Sequence, residues 1–203
     1  MKRTKRFPMV NGQLEVPRQE RGVSLIIVIL VLAFLQIVGL MLLMVTRTGS
    51  RVAGNMRTQQ MAYNAAEAGF DVGWTEIEEF FADGEWTSFD GHYLTEPSGI
   101  DDPQSDNYFR RLTDLEVLDL IDPDGDGTPD VSTVIFFREP YIDKGGSPDP
   151  RYTYTVFLID DEAGGSTPDP GDALLVCIGC VGIDTNMTTS RLEIELVIQV
   201  PGT

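Results

Sequence analysis

The most suggestive chemistry in this sequence lies in residues 122 to 130, which read Asp-Pro-Asp-Gly-Asp-Gly-Thr-Pro-Asp. Aspartates occupy alternate positions at the start of this segment, which is the spacing of the first carboxylate ligands in a calcium-binding loop. Four carboxylates within nine residues also repel one another unless a cation compensates their charge. The segment therefore predicts a Ca²⁺ site, and the alternative is a solvated Asp-Gly turn. The predicted metal ligands are Asp122, Asp124, Asp126, Thr128 through its backbone carbonyl, and Asp130 through a water molecule.

The same nine residues resemble the calcium loops of EF-hand, dockerin and thrombospondin type 3 repeats. Gly127 stands where such a loop turns sharply. The twelfth loop position is Thr133 rather than the bidentate glutamate of an EF-hand, and the residues that follow have the pattern of a strand. Another carboxylate, such as Glu139 or Asp143, is a candidate for the missing ligand.

Cys177 and Cys180 form the sequence Cys-Ile-Gly-Cys within an apolar, strand-like run. A zinc site of the ribbon type would need a second cysteine pair, and a redox Cys-x-x-Cys motif is expected at the start of a helix, so both are disfavoured. In an extracytoplasmic domain we expect a small disulfide loop that turns at Ile178-Gly179. Two reduced, partly buried thiols are the alternative, because positions i and i+3 of a regular strand point to opposite faces.

The sequence offers no recognisable catalytic site. His92 is the only histidine, and no nucleophile motif surrounds it. A glycine-rich loop that could cradle phosphates is also missing, and the abundant carboxylates lie in predicted turns and strand faces. We therefore expect that the chain is not an enzyme.

Charge is distributed very unevenly along the chain. Residues 1–22 carry six Lys and Arg against two Glu, whereas the remaining 181 residues carry 9 Lys and Arg against 30 Asp and Glu. Such an acidic globular part would repel phosphates, so nucleic-acid binding is not expected. Basic residues that flank a membrane helix stay on the cytoplasmic side, which places the acidic part in the periplasm or outside the cell.

An uncharged apolar run extends from Val23 to Val45. Twenty-three residues that rise about 1.5 Å each can cross a hydrocarbon core of roughly 30 Å, so this run predicts a membrane helix. A cleaved secretory signal has a shorter apolar core with its cleavage site after it. Here the only processing signal, Arg21-Gly22, precedes the apolar run. This order is typical of a prepilin leader.

Residues 18 to 75 resemble the N-terminal region of PilX-type minor pilins of bacterial type IV pili. The resemblance rests on the basic leader, the Arg21-Gly22 junction, the apolar run and two later segments, Arg51-Val-Ala-Gly-Asn-Met-Arg57 and Gln60-Met-Ala-Tyr-Asn-Ala-Ala-Glu-Ala-Gly69. It implies that a prepilin peptidase cuts after Gly22 and methylates the new N-terminal amine of Val23. It also implies that the helix contacts other pilins and minor pilins, and that the protein resides in the inner membrane before it reaches the pilus.

One position departs from the pattern of the usual major pilin. That protein carries a glutamate at the fifth mature position, where this chain has Ile27. The glutamate is thought to pair with the N-terminal amine of a neighbouring subunit inside the apolar filament core, where an unpaired charge is costly. We therefore expect a low-copy subunit, near the filament tip, rather than a repeating shaft subunit.

The predicted fold is α+β and pilin-like, with a long N-terminal helix packed on a C-terminal antiparallel sheet. Apolar residues at helical spacing continue to residue 81, and strands are predicted at the four ranges given below. Glycines in the helix either weaken it or permit close packing. The helical stripe comprises Val52, Met56, Tyr63, Ala66, Phe70, Trp74, Ile77 and Phe81. The glycines are Gly39, Gly49, Gly54, Gly69 and Gly73. The predicted strands are residues 133–139, 151–159, 173–182 and 191–200.

The chain is expected to have four parts. They are a leader (1–22), a membrane or filament-core helix (23–47), an amphipathic helix continuation (48–82) and an acidic extracytoplasmic domain (83–203). A long connecting region is expected from Asp83 to the first strand, and turns rich in Gly, Pro and Asp are expected at residues 145–150 and 164–170.

Two functions of different classes fit these features. The first is a minor pilin that takes part in pilus assembly or initiation, and a minor pseudopilin of type II secretion is a close variant of it. The second is a membrane-anchored, calcium-dependent adhesin or binding protein that uses the pilin-like N-terminus as an anchor. Cleavage after Gly22 and recovery in sheared filaments favour the first, and a retained leader favours the second.

Overall fold

A computed structural model of the chain describes residues 20–142, 145–160, 169–182 and 187–198. The chain divides into two compact units, Met1–Val52 and Ala53–Thr203. Helix α1 comprises Glu20–Ala82 and contributes residues to both units. In the second unit, the later part of α1 packs on a four-stranded antiparallel sheet, so the expected α+β layout is confirmed.

The sheet has the order β1-β2-β3-β4, and each strand is antiparallel to its neighbours. The four predicted strands are therefore confirmed, with ends that differ by several residues. The predicted turn at residues 145–150 leads into β2, whose first residue is Pro148. Most of the second predicted turn, residues 164–170, lies outside the described residues. The strands are β1 (Val134–Ile142), β2 (Pro148–Ile159), β3 (Asp172–Val181) and β4 (Thr188–Val197).

Both faces of the central strands are buried. All residues of β3 after Asp172 are buried, as are the last six residues of β2. The buried side chains form two hydrophobic clusters, one on each face of the sheet. The cluster that includes α1 contains Ala66, Ile77, Tyr154, Val156, Leu175 and Cys177, and the cluster on the other face contains Phe109, Leu118, Ile121, Phe157, Val176 and Cys180. The hydrophobic core thus has two layers, one on each side of the sheet.

The second layer is formed by residues of the predicted connecting region after Asp83. Helix α2 comprises Asp114–Ile121, and it buries Val117, Leu118 and Ile121. Thr113 caps its first turn by accepting a hydrogen bond from the Glu116 backbone N–H, and the Glu116 carboxylate accepts one from the Thr113 N–H. The long connecting region predicted after Asp83 therefore contains a helix that was not predicted. An eight-residue helix presents only two turns of periodicity, so its capping box was the clearer signal.

The predicted apolar stripe of α1 is only partly buried. Ala66 and Ile77 are fully buried, and Ala62 and Ala65 join them. Val52 and Met56 are 51% and 69% exposed, so the stripe that covers the sheet begins at Ala62. The helix carries small residues where it contacts the sheet, because the strands on that face approach its backbone closely.

Candidate functional site

The three alternating aspartates of the acidic segment converge in the structure. One carboxylate oxygen from each of Asp122, Asp124 and Asp126 lies within 4.8 Å of the other two. The segment is a tight loop, because backbone N–H groups donate to these side chains: Asp126 N to Asp124 Oδ1 at 3.1 Å and Thr128 N to Asp126 Oδ1 at 2.8 Å. The Thr128 hydroxyl also donates to Asp126, and these hydrogen bonds lower the pKa of Asp126. The aspartate is therefore ionised at neutral pH.

Asp122 differs from its two neighbours because it is buried. It is only 3% exposed, whereas Asp124 and Asp126 are exposed. Its Oδ2 accepts a hydrogen bond from the Gly127 N–H at 3.2 Å, but its Oδ1 is buried and has no hydrogen-bond partner among the described residues. A buried carboxylate oxygen without a partner is costly, so this atom has unused capacity to accept a donor or bind a cation.

The position of Asp122 follows from helix α2, of which it is the C-cap. The helix is fixed at its other end by Arg191 of β4, whose Nε donates to Asp114 Oδ1 at 2.8 Å. The same guanidinium donates to the Phe109 carbonyl oxygen at 2.8 Å, and both side chains of the ion pair are mostly buried. Charge-assisted bonds of this kind are among the stronger hydrogen bonds in proteins, so they hold α2 firmly on the sheet.

The other predicted ligands are distributed less favourably. The Asp130 carboxylate does not join the converging group, although the Asp130 N–H donates to the Ile121 carbonyl oxygen at 2.9 Å and so closes the loop. Thr133, at the twelfth position, has a buried Oγ1 without a hydrogen-bond partner. Glu139 lies exposed on β1, and Asp143 lies outside the described residues. The structure thus brings together three of the predicted ligands and leaves Asp130 at the end of the loop.

Cys177 and Cys180 are both buried free thiols. They lie on opposite faces of β3, since Cys177 belongs to the cluster that includes α1 and Cys180 to the cluster that includes α2. The predicted disulfide is therefore wrong, and the alternative of two reduced thiols describes the structure. Regular pairing of β3 with both neighbouring strands leaves no turn at Ile178-Gly179. Burial raises the pKa of Cys177 to about 12 and that of Cys180 to about 11, so both remain protonated and unreactive.

Helix α1 is long and apolar enough to span a membrane. Its large apolar side chains between Leu25 and Val45 are 51% to 69% exposed, except for Val38, which is less so. In water such a surface would be strongly unfavourable. Gly22 and Val23, the predicted processing residues, lie in the first turn of the helix, which begins at Glu20. Most of the predicted leader, residues 1–19, lies outside the described residues.

Two of the six glycines of α1 serve close packing. A Cβ atom at Gly69 would lie 2.9 Å from Tyr154 Cβ, and one at Gly73 would lie 2.7 Å from Val156 Cγ1. On the facing strand, a Cβ atom at Gly179 would collide with the Ala62 carbonyl oxygen and the Ala66 nitrogen. Packing therefore explains these glycines, whereas Gly39, Gly49 and Gly54 have no neighbour within 4 Å.

A surface pocket between α1 and the sheet was not foreseen from the sequence. Its floor combines Asn64 of α1 with Tyr152 and Asp149 of β2. Arg151 donates two hydrogen bonds from its guanidinium to Asp149, which lowers the pKa of that carboxyl. The alternation of tyrosines and threonines in β2 was the available signal, but it does not specify which helical residues face the strand. The full lining is Met61, Asn64, Ala65, Tyr141, Asp149 and Tyr152.

Comparison with known proteins does not extend these observations. No protein-family model matches the chain, and no curated protein or solved structure shows significant similarity to it.

Proposed function

We propose that this chain is a minor pilin that takes part in the assembly or initiation of a type IV pilus. The observation that carries the proposal is the division of α1: residues 24–45 expose a continuous apolar surface, whereas the helix from Ala62 onward packs on a sheet. A single helix of this kind can anchor a globular domain in a membrane and later pack against other helices in a filament.

Processing is the first element of the proposal. A prepilin peptidase cuts after Gly22 and methylates Val23, and the mature helix then begins with the apolar run. Before assembly the acidic domain lies in the periplasm and the helix in the inner membrane. After assembly the domain lies on the cell surface, and the partners of the helix are other pilins and minor pilins.

Copy number is the second element. Ile27 cannot neutralise the terminal amine of a neighbouring subunit, so the subunit occupies few positions, near the filament tip. An Ile27→Glu variant is expected to change incorporation only modestly, because a subunit at the end of the filament does not need this pairing. An abundance in purified filaments equal to that of the shaft subunit would contradict this element.

The experiment compares sheared surface filaments with cell membranes, using an antibody against the acidic domain. The unmodified chain is expected in the filament fraction in a shortened form. A Gly22→Val variant blocks cleavage and is expected to remain in the membrane with its leader. Gly12→Val is the matched control, since it makes the same change within the leader but away from the junction.

Two results would contradict the proposal. One is an unmodified chain that stays in membranes with an intact leader, which favours the anchored calcium-dependent adhesin instead. The other is a Gly22→Val variant that enters filaments as well as the unmodified chain does. Recovery only with a type II secretion pseudopilus would transfer the same assembly role to that system.

A further inference from the structure

We propose that the loop at residues 122–130 binds Ca²⁺ and thereby fastens the C-terminal end of α2 ahead of β1. The ligands are carboxylate oxygens of Asp122, Asp124 and Asp126, with the Thr128 carbonyl oxygen and a water held by Asp130 as further ligands. This inference goes beyond the filament role and does not depend on it, because binding is a property of the acidic domain alone.

The unpartnered oxygen of Asp122 is the first observation behind the site. Asp122 is 3% exposed, and no group in the described part of the chain forms a hydrogen bond with its Oδ1. This oxygen belongs to a carboxylate that joins two exposed carboxylates in one group. A solvated Asp-Gly turn would not explain why one of the three acids is buried with an unsatisfied oxygen, since burial removes the hydration that a carboxylate needs. A bound cation supplies the missing partner.

The distances between the carboxylates suit Ca²⁺. Oxygen ligands lie about 2.3–2.6 Å from Ca²⁺, so two ligands on opposite sides of the ion are separated by about 4.6–5.2 Å. The three aspartate oxygens lie within 4.8 Å of one another, so all three can contact one ion. Mg²⁺ usually keeps several waters and uses one or two carboxylates, whereas this loop presents three carboxylates.

Local charge also favours a cation. The last turn of α2 contains no basic residue, and the partial negative charge at a helix C-terminus adds to that of the aspartates. Within the described part of the chain, no Lys or Arg forms a salt bridge with Asp122, Asp124 or Asp126. Within the described residues, the negative charge of the three aspartates is therefore not compensated by an ion pair, and a divalent ion would relieve the repulsion.

The location of the loop gives binding a structural consequence. Asp122 directly follows Ile121, which is fully buried in the cluster between α2 and the sheet. The Asp130 N–H bond to the Ile121 carbonyl joins the far end of the loop to the same residue. Opening the loop would free the end of α2 and expose that cluster, so ion binding stabilises the packing of α2 on the sheet.

The test is thermal unfolding of the full-length chain in detergent micelles, with Ca²⁺ or with chelator, together with calorimetric titration of Ca²⁺ into chelated protein. At about 100 times the dissociation constant, Ca²⁺ is expected to raise the melting temperature by roughly 5–10 °C. The titration should show one ion per chain. Asp124→Ala combined with Asp126→Ala removes two exposed ligand side chains and is expected to abolish both effects.

The matched control is Glu78→Gln combined with Glu79→Gln, which removes two exposed carboxylates from α1 and changes the net charge equally. It should retain the full calcium effect. Three outcomes would overturn the proposal: no shift with millimolar Ca²⁺, an equal shift in the Asp124/Asp126 variant, or equal stabilisation by Mg²⁺ at the same concentration. If the Asp124/Asp126 variant melts in chelator as the unmodified chain does, loss of the calcium shift reports the site rather than misfolding.

Discussion

The two stretches of helix α1 show how one secondary structure can serve opposite environments. Between Leu25 and Val45 the large apolar side chains, apart from Val38, are exposed by 51% to 69%. From Ala62 to Ile77 the buried positions are mostly small, and Ala62, Ala66 and Ile77 are 0–1% exposed. The first stretch has no partner in the described structure, and its apolar surface can contact lipid or neighbouring helices. The second stretch packs closely against one sheet. The first stretch is uncharged, whereas the second alternates small buried residues with exposed acidic ones such as Glu67 and Asp71.

The glycines of α1 also occupy two different environments. Gly54 has open space around it, whereas a side chain at Gly73 would meet Val156. In the first case glycine only lowers the helix propensity, and in the second it permits contact between helix and strand. The following predictions separate the two environments.

The largest effect is expected from a charge in the exposed apolar stretch. Leu35→Arg places a cation near the centre of the apolar run, where membrane insertion becomes about 3–4 kcal/mol less favourable than with leucine. The fraction of protein that resists extraction from membranes should fall sharply, while the unfolding midpoint of the acidic domain should stay unchanged. Leu35→Ala is the control and should remain in the membrane. An arginine variant retained as well as this control would contradict a membrane role for the stretch.

A methyl group at the helix–sheet contact is expected to have the next largest effect. Gly179→Ala would push a Cβ atom into the backbone of Ala62 and Ala66, so the helix and β3 must separate. Overpacking of this kind costs roughly 2–3 kcal/mol of unfolding free energy. Chemical denaturation in detergent measures the loss. An unchanged midpoint would show that α1 does not pack on β3 as described.

The smallest effect has the opposite sign. Gly54→Ala adds the same methyl group where nothing lies within 4 Å, and alanine favours a helix by about 1 kcal/mol relative to glycine. The melting temperature should rise by roughly 2–4 °C if this part of the helix unfolds with the domain. Destabilisation by Gly54→Ala would indicate a neighbour at this position and would remove the contrast with Gly179.

Sequence patterns predicted the elements of this fold better than their packing. Alternation in Tyr152–Ile159 and in Leu192–Ile198 identified strands, because period two is a strong local signal. It could not reveal that α2 covers the second face of the sheet, since Val117, Leu118 and Ile121 meet the sheet only through tertiary contacts. The stripe on α1 was extended too far for the same reason: Val52 and Met56 fit the helical period but have no strand to cover.

The same difference between local patterns and tertiary packing applies to the candidate site. Convergence of Asp122, Asp124 and Asp126 follows from local spacing and from glycines that allow the turn, so the sequence was informative there. The burial of Asp122 depends on the end of α2 and could not be foreseen once that helix was missed. The prediction of a disulfide between Cys177 and Cys180 was wrong because regular pairing with β2 and β4 keeps β3 extended between them.

The most direct test of the proposed function is the intact mass of the chain extracted from membranes and from sheared filaments. We expect a mature protein that begins at Val23 with one methyl group on its N-terminal amine, because the Arg21-Gly22 junction immediately precedes the apolar run. A chain that begins at Met1, or one cut beyond Val45, would contradict it.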